Sequence, residues 1–379
     1  MPRTTNPITP QKSMMTQAVE MHSEGKQADT NAANRAGEAT QKTVGGDTAY
    51  QRALAAETEL TPIEDGNYFL PKGESIRGRW VIECKVGGGA YGQIFKATDR
   101  ERRGEIVAVK VELISKRRDC RRIVQECQLM WMLQGRPYMP QVYGSGEDVP
   151  RDINYIVMEL LSRNLSDLRR ASPLNRLSVG TGYRLMHQCL AALEDMHSAG
   201  YIHRDLKPSN LALGLGTKTH QLYLLDYGMV RRFKSADGQL RRQRPKVGFR
   251  GTLRYVSMRV HNRLDHCPTD DLWSLYYTLL DLVTGALPWR KLNDHEAVKQ
   301  KKATTKLRSM CHRLPESTVE FGRHLRSWGF GDAPDYKLLS QLLEEAITSS
   351  NTKWNDPYDW ENFYDSVIKE DRRQYKRAR

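Results

Sequence analysis

His203-Arg204-Asp205-Leu206-Lys207-Pro208-Ser209-Asn210 decides how this chain of 379 residues is read. The string sets a carboxylate, an ammonium and a carboxamide close together at fixed spacing, which suits phosphoryl transfer. Asp205 would orient a substrate hydroxyl and accept its proton, Lys207 would neutralise the moving phosphoryl group, and the Asn210 amide oxygen would reach a magnesium ion. His203 reads as a packing residue beneath Asp226 rather than a base.

Working outward, Leu222-Tyr223-Leu224-Leu225-Asp226-Tyr227-Gly228 is a buried strand ending in a carboxylate, where a nucleotide-bound Mg²⁺ would find the oxygen ligand it prefers. Taken alone, it reads as an Asp-Tyr-Gly reverse turn. The Tyr227 hydroxyl needs a hydrogen-bond partner if buried. Upstream, residues 80–84 form a strand that enters the turn Gly87-Gly88-Gly89-Ala90-Tyr91-Gly92 and returns over residues 93–97. Glycine lets a backbone approach phosphate oxygens without a Cβ clash, and Ile94 on the returning strand would cover a purine. A dinucleotide-binding fold would send such a loop into a helix, so the strand after it removes that reading. Alone, the turn is merely tight. Val107-Ala108-Val109-Lys110 ends a further strand in a lysine, and Ile123, Cys127, Met130 and Trp131 recur at helical spacing with Glu126 on the edge of their stripe. An isolated strand lysine points to water, but a partner at Glu126 would hold it for phosphates. Four motifs in this order reduce the turn-and-surface readings to a very small joint chance.

Hydrophobic residues make up 39% of the chain, enough for two packed lobes. No apolar stretch reaches the roughly 18 residues that span a bilayer, and the start carries neither a secretory signal nor a myristoylation site, so a cytoplasmic or nuclear address and no membrane insertion are expected. Six cysteines without a Cys-x-x-Cys pair indicate free thiols rather than a zinc site or disulfide framework. The formal charge of +14 raises nucleic acid as a partner. Its distribution argues against that. Between residues 228 and 254 nine bases face one acid, Asp237, whereas residues 1–65 hold more acids than bases. A basic run is often just a solvated face, yet this one directly follows the chemical motifs.

Residues 1–70 are polar, with few large apolar side chains, and are expected to be a disordered tail with a short helical stretch over 53–60. Residues 155–161 read as a buried strand running into a connector. Beyond it, helices are expected around 185–196, ended by Gly200, around 272–283, and over 336–347. Residues 351–379 form a C-terminal extension.

These strings resemble protein kinases and, over residues 80–347, the casein kinase 1 family. Ala-Pro-Glu is missing after the activation segment, where this chain has Gly251-Thr252-Leu253-Arg254-Tyr255-Val256-Ser257-Met258-Arg259. Asp270-Asp271-Leu272-Trp273-Ser274-Leu275 and Leu287-Pro288-Trp289-Arg290 add to the match. Leu165-x-Asp167-Leu168-Arg169-Arg170, Lys207-Pro208-Ser209-Asn210, Gly248-Phe249-Arg250-Gly251-Thr252, Pro288-Trp289-Arg290-Lys291 and Tyr358-Asp359-Trp360-Glu361 are most similar to its tau-tubulin kinase branch.

The resemblance implies an α+β bilobal kinase fold over residues 80–350. Its small β-rich N-lobe, 80–160, would hold one main helix, and the larger, mainly helical C-lobe would span 161–350. It implies a serine/threonine kinase using ATP and Mg²⁺, with ATP between the lobes. By motif position, Val86, Gly87, Gly88, Gly89, Ala90, Tyr91, Gly92, Gln93, Ile94, Ala108, Lys110, Glu126, Met158 (the gatekeeper), Glu159, Leu161 and Ala212 would face the nucleotide, and Asn210 and Asp226 the metal. Asp205, Lys207, Lys110 and Thr252 form the catalytic set, with Thr252 contacting Asp205 and Asp271 anchoring the catalytic loop. Ala212 stands where the family commonly has Leu, which loosens the floor of the adenine pocket. Protein substrates with acidic or phosphorylated segments are implied, held by Arg231, Arg232, Arg250 and Arg254. Asn293 stands where a second basic residue is expected, which weakens a strict need for a priming phosphate. A monomer that binds no nucleic acid is expected. The rival reading is a pseudokinase acting as a scaffold.

Overall fold

The computed structural model describes residues 60, 62–64, 66–89, 92–114 and 121–361, and the chain forms two compact units. One is built mainly of strands, the other mainly of helices, in agreement with the α+β bilobal expectation.

The first unit takes in residues 62–134 and 141–159. Its antiparallel sheet has six strands in the order β1-β2-β3-β4-β6-β5: β1 (Ser75–Ile76), β2 (Trp80–Gly89), β3 (Gly92–Asp99), β4 (Glu105–Leu113), β5 (Val142–Asp148) and β6 (Ile153–Glu159). Successive side chains in a strand point to opposite faces. Phe95, Ala97, Val107, Val109, Val111 and Val157 therefore share one buried core with Trp80 and Tyr155, while Ile94 and Lys110, paired in register, point to the other face. The helix α1 (Arg121–Met132) buries Ile123, Cys127 and Met130, as the helical spacing predicts. Asp99 is fully buried and satisfied by Arg79 Nε and Nη2, each at 2.8 Å, and by the Trp80 indole at 3.0 Å.

Residues 1–59, most of the expected tail and its helical stretch, lie outside the described residues. The end of that tail is part of the fold. Leu70 is buried in the sheet's core, and the Asn67 carbonyl accepts hydrogen bonds from Gln93 Nε2 at 2.7 Å and Lys85 Nζ at 3.2 Å. The polar composition averaged over the tail concealed Phe69 and Leu70, which have apolar surface to bury.

The second unit takes in residues 135–140 and everything described from Leu160 onward. Its elements are α2 (Leu165–Ala171), α3 (Val179–Ser198), β7 (Tyr201–Ile202), β8 (Leu211–Leu213), β9 (Leu222–Leu224), β10 (Arg231–Arg232), α4 (Met258–His261), α5 (Pro268–Thr284), α6 (His295–Thr304), α7 (Leu307–Met310), α8 (Glu316–Ser327) and α9 (Tyr336–Ser349). The α5 helix starts with proline in its first turn, where no backbone N–H is needed, and with the Asp270 carboxylate accepting from Cys267 N at 2.9 Å. Gly285, at φ +80°, ends it. Among the described residues no helix is long and apolar enough to cross a membrane.

The expected C-terminal extension is anchored to this unit up to residue 361; residues 362–379 lie outside the described residues. The Asp359 carboxylate accepts from Ser178 N and Ser178 Oγ, each at 2.5 Å, at the start of α3. The Arg184 guanidinium donates to the carbonyls of Trp354, Asp356 and Pro357 and lies 4.5 Å from the Tyr358 ring centroid.

Candidate active site

Each unit presents a set of the expected residues. In the first, Lys110 Nζ reaches both oxygens of Glu126 at 2.7 Å, joining β4 to α1. Glu126 is only 2% exposed, so its charge is held by this ammonium rather than by water. The register sets Ala108 opposite Met158. Val86, Gly87, Gly88, Gly89, Gly92 and Ile94 lie along the β2–β3 hairpin, whereas Ala90 and Tyr91 lie outside the described residues. Gly92 has a local reason to be glycine: a Cβ there would stand 2.3 Å from the Val111 carbonyl oxygen of the neighbouring strand. The Gln93 side chain is buried against the preceding segment, donating to Asn67 O at 2.7 Å and accepting from Phe69 N at 2.8 Å. Glu159 Oε2 accepts from Gln141 N at 3.2 Å.

In the second unit α3 delivers the chain to Gly200, whose φ of +85° starts the loop, and β7 pairs with β10 in the register Arg231↔Ile202. The fully buried Asp271 on α5 takes the N–H of His203 at 2.6 Å, the N–H of Arg204 at 2.8 Å and His197 Nε2 at 2.9 Å. Burial alone would raise its carboxyl, but the His197 hydrogen bond and the neighbouring imidazoles hold it below the usual carboxylate range. Two backbone amides of the string from His203 to Asn210 are thus oriented by one charge. His203 Nε2 faces the Leu225 carbonyl at 3.0 Å and its Nδ1 faces Asp205 N at 3.3 Å. A ring protonated on Nε2 satisfies both contacts, so His203 braces the loop and is not placed as a base.

Asp205 is 5% exposed, and its two oxygens are held differently. Oδ1 accepts from Thr252 Oγ1 at 2.6 Å, and Oδ2 from Lys207 Nζ at 2.7 Å. Lys207 Nζ also lies 3.3 Å from Thr252 Oγ1. Asn210 Nδ2 donates to Asp205 O at 2.9 Å, which commits the amine end of the carboxamide and presents the oxygen end for a cation. The β8–β9 ladder pairs Leu211 with Leu224, and Leu225 N donates to Asn210 O at 2.9 Å, so Asn210 and Asp226 flank the same end of a short ribbon. Asp226 has φ +62° and ψ +75°, a left-handed backbone that is uncommon outside glycine and turns this residue out of the strand direction. Two oxygen donors so placed fit a hard divalent cation. The Tyr227 hydroxyl finds its partner in the Leu224 carbonyl at 2.6 Å. Leu161, Ala212 and Tyr223 pack as one buried cluster, with Leu225 against it.

The basic run does not act as one field. Arg244 is bound to the buried Asp265 through Nε at 3.0 Å and Nη2 at 2.7 Å, so an acid from outside the run neutralises it. Arg250 Nη1 donates to Phe249 O at 3.3 Å, and Arg254 Nη2 to Arg290 O at 3.2 Å. Arg232 is exposed. Arg204, which the sequence pattern alone does not single out, belongs to this group as well. Burial, then repulsion from Arg231, push its guanidinium down to about 10, with Arg244 and Arg250 adding to the effect and Asp271 opposing it. Its place beside Asp205 was the available signal.

The protein kinase domain family matches residues 80–353. A probable serine/threonine-protein kinase of Dictyostelium discoideum is 39% identical over 296 residues, which cover 78% of this chain and 59% of the relative. A putative casein kinase I of Caenorhabditis elegans is 36% identical over 346 residues, covering 84% of this chain and 99% of the relative. A putative serine/threonine-protein kinase of Caenorhabditis elegans is 33% identical over 307 residues, 79% of this chain and 87% of the relative. The chain thus spans about three fifths of the Dictyostelium protein and nearly all of one nematode protein. It belongs to the protein kinase family.

Proposed function

We propose that this member of the protein kinase family transfers the γ-phosphoryl group of ATP to serine and threonine hydroxyls of proteins, as a kinase of casein kinase 1 type in its tau-tubulin branch. The observation that carries the reading is Asp205, whose carboxylate is oriented by Thr252 and Lys207 while Asn210 is tied to its carbonyl. A divalent cation held by Asn210 and Asp226 would supply neutralisation of the charge that develops on the phosphoryl group. The protein's own contribution is positioning: Lys110, set by Glu126, would hold phosphates, Asn210 and Asp226 would hold the cation, and Asp205 would orient the hydroxyl and take its proton.

Substrates with acidic or phosphorylated surroundings are proposed, because Arg231, Arg244 and Arg250 all repel the half-buried Arg204 next to Asp205, and Arg254 lies two residues beyond Thr252. Guanidinium groups favour such anions through charge-assisted hydrogen bonds. With Asn293 at the second basic position, the preference is for general acidity rather than strict priming. The proposed state is a monomer in the cytoplasm or nucleus that uses no nucleic acid.

The test is transfer from Mg-ATP to an array of serine and threonine peptides of varied surroundings. Phosphate on serine and threonine peptides, strongest in acidic contexts, is expected. A folded protein that binds ATP and transfers nothing would support the rival reading, a pseudokinase scaffold.

A further inference from the structure

Lys302 on α6 is a buried charge that nothing above uses. It is 5% exposed, and among the described residues no carboxylate lies within ion-pair distance of it. Its ammonium donates to the carbonyls of Leu253 at 3.0 Å and Val256 at 2.6 Å. Two aromatic faces complete the surroundings, with Nζ 4.9 Å from the Tyr277 ring centroid and 5.2 Å from that of Trp289. Burial of a lysine without a counter-ion costs stability, and burial pushes this ammonium well below the ordinary lysine range. Carbonyl dipoles and ring quadrupoles offset part of that cost. An apolar side chain of the same length would fill the space without it.

What the charge does can be read from the backbone it holds. The Arg254 carbonyl accepts from Trp289 Nε1 at 2.8 Å, so the oxygens of residues 253, 254 and 256 are all gripped by side chains from later in the chain. The amides of Tyr255 and Val256 turn back to the Thr252 carbonyl at 2.9 and 3.2 Å. Thr252 in turn carries the hydrogen bond to Asp205. Just before it, Gly251 has φ +100°, and a Cβ there would stand 2.6 Å from the Arg204 carbonyl oxygen. The segment is therefore tied at its head to the catalytic carboxylate and at its centre to Lys302. A peptide whose hydroxyl is presented to Asp205 would lie beside this segment, because Thr252 touches that carboxylate.

We propose that Lys302 is a positioning residue for protein substrates: its buried ammonium holds residues 252–256 in the one backbone shape against which the peptide beside the acceptor hydroxyl docks. The inference rests on the kinase reading above. It predicts a selective defect. A residue that merely supports the fold would, on removal, lower stability and the use of both substrates together. A residue that shapes the docking segment would change peptide use and leave ATP use alone.

The experiment compares wild type with Lys302→Met and Lys302→Gln, measuring thermal midpoint, KM for ATP, kcat and KM for an acidic serine peptide, and hydrogen exchange at the amides of Tyr255 and Val256. Lys302→Met is expected to keep or raise the midpoint, hold KM for ATP within about twofold, and lower kcat/KM for the peptide at least about tenfold through KM, with those two amides exchanging at least about tenfold faster. Lys302→Gln, which keeps a donor without the charge, should recover part of both effects. It also carries the test should the methionine variant fail to fold. Peptide kinetics and exchange equal to wild type in a folded variant would overturn the proposal, as would a parallel loss of midpoint and of both substrates. A folded wild type with no transfer activity would sink the kinase reading instead, and the exchange comparison would then decide the role of Lys302 by itself.

Discussion

Thr252 Oγ1 donates to Asp205 Oδ1 at 2.6 Å across 47 residues of chain. This contact joins the end of the basic run to the string from His203 to Asn210, and Lys207 holds the other carboxylate oxygen at 2.7 Å. The carboxylate is therefore oriented before any substrate arrives, which is the condition under which positioning lowers a barrier.

Asp205→Asn and Lys110→Met are expected to fold and to lose transfer by on the order of a thousandfold or more, because each acts on the position or charge of the phosphoryl group rather than on packing. Loss of autophosphorylation is expected in both, with a thermal midpoint near wild type for Asp205→Asn and a lowered one for Lys110→Met, which leaves the buried Glu126 carboxylate without its ammonium. Substantial residual transfer by either folded variant would count against the mechanism.

Activity should not need phosphate on the activation segment. Ser235 is the only hydroxyl residue between Gly228 and Arg254 besides Thr252, and it is already bonded to Asp237 and to Gln239 O at 3.0 Å. The anchor of the segment is instead the Arg244–Asp265 pair at 2.7 Å. Ser235→Ala should keep kcat within about twofold, while Arg244→Ala should lower it about tenfold or more. Inactivity of Ser235→Ala with rescue by Ser235→Glu would show that the switch exists after all.

Peptide selectivity should depend on salt and on Arg254. Attraction between exposed charges is screened over about 8 Å at physiological ionic strength. The ratio of kcat/KM for acidic over neutral peptides should fall from low to high salt, and Arg254→Ala should lower it further. Equal selectivity under all these conditions would leave the acidic preference without support.

Stability should begin to fall on acidification before the carboxylates titrate. Burial first, then Lys302, His295, Lys299 and Arg263, push the His261 imidazole down to about 3. In the unfolded chain it titrates near about 6.5, so below that pH the unfolded state takes up a proton that the folded state refuses. The stability carried by neutral His261 is fully present above about pH 6.5 and is lost as pH falls toward 3. At pH 5 the loss is on the order of 2 kcal/mol. His261→Phe should flatten the dependence of urea midpoint on pH between 7.5 and 5, with His266, also lowered by burial, leaving a residual slope. An unchanged slope would remove His261 as its source.

The C-terminal contact predicts a stability effect without a catalytic one. Asp359 receives Ser178 N at the first turn of α3, and Thr181 Oγ1 donates to it at 2.8 Å. Loss of hydrogen bonds of this kind to a charged group costs about 1.5–3 kcal/mol. Asp359→Ala should lower the urea midpoint accordingly and leave kcat per folded molecule unchanged; a loss of kcat at full stability would mean that the segment acts on the site.

Some of this protein could be read from the order of its residues. The string from His203 to Asn210 keeps its chemistry within one loop, the hairpin of β2 and β3 is signalled by its turn, and the helices α3, α5 and α9 follow from apolar spacing. Each depends on neighbours a few residues apart, and local geometry makes such spacing legible. The pairing of Lys110 with Glu126 was also within reach, being set by a strand followed directly by a helix. Other features were decided only when distant segments packed. Gln93 turned to Asn67 and Phe69, Asp265 neutralised Arg244, Asp359 reached the start of α3, and Lys302 took the carbonyls of Leu253 and Val256. A polar side chain brought out of water takes whichever partner the packing offers, and that partner lies 46 residues away for Lys302 and Val256 and 181 for Asp359 and Ser178. No sequence pattern encodes those choices, because they follow from burial, and burial is a property of the assembled fold.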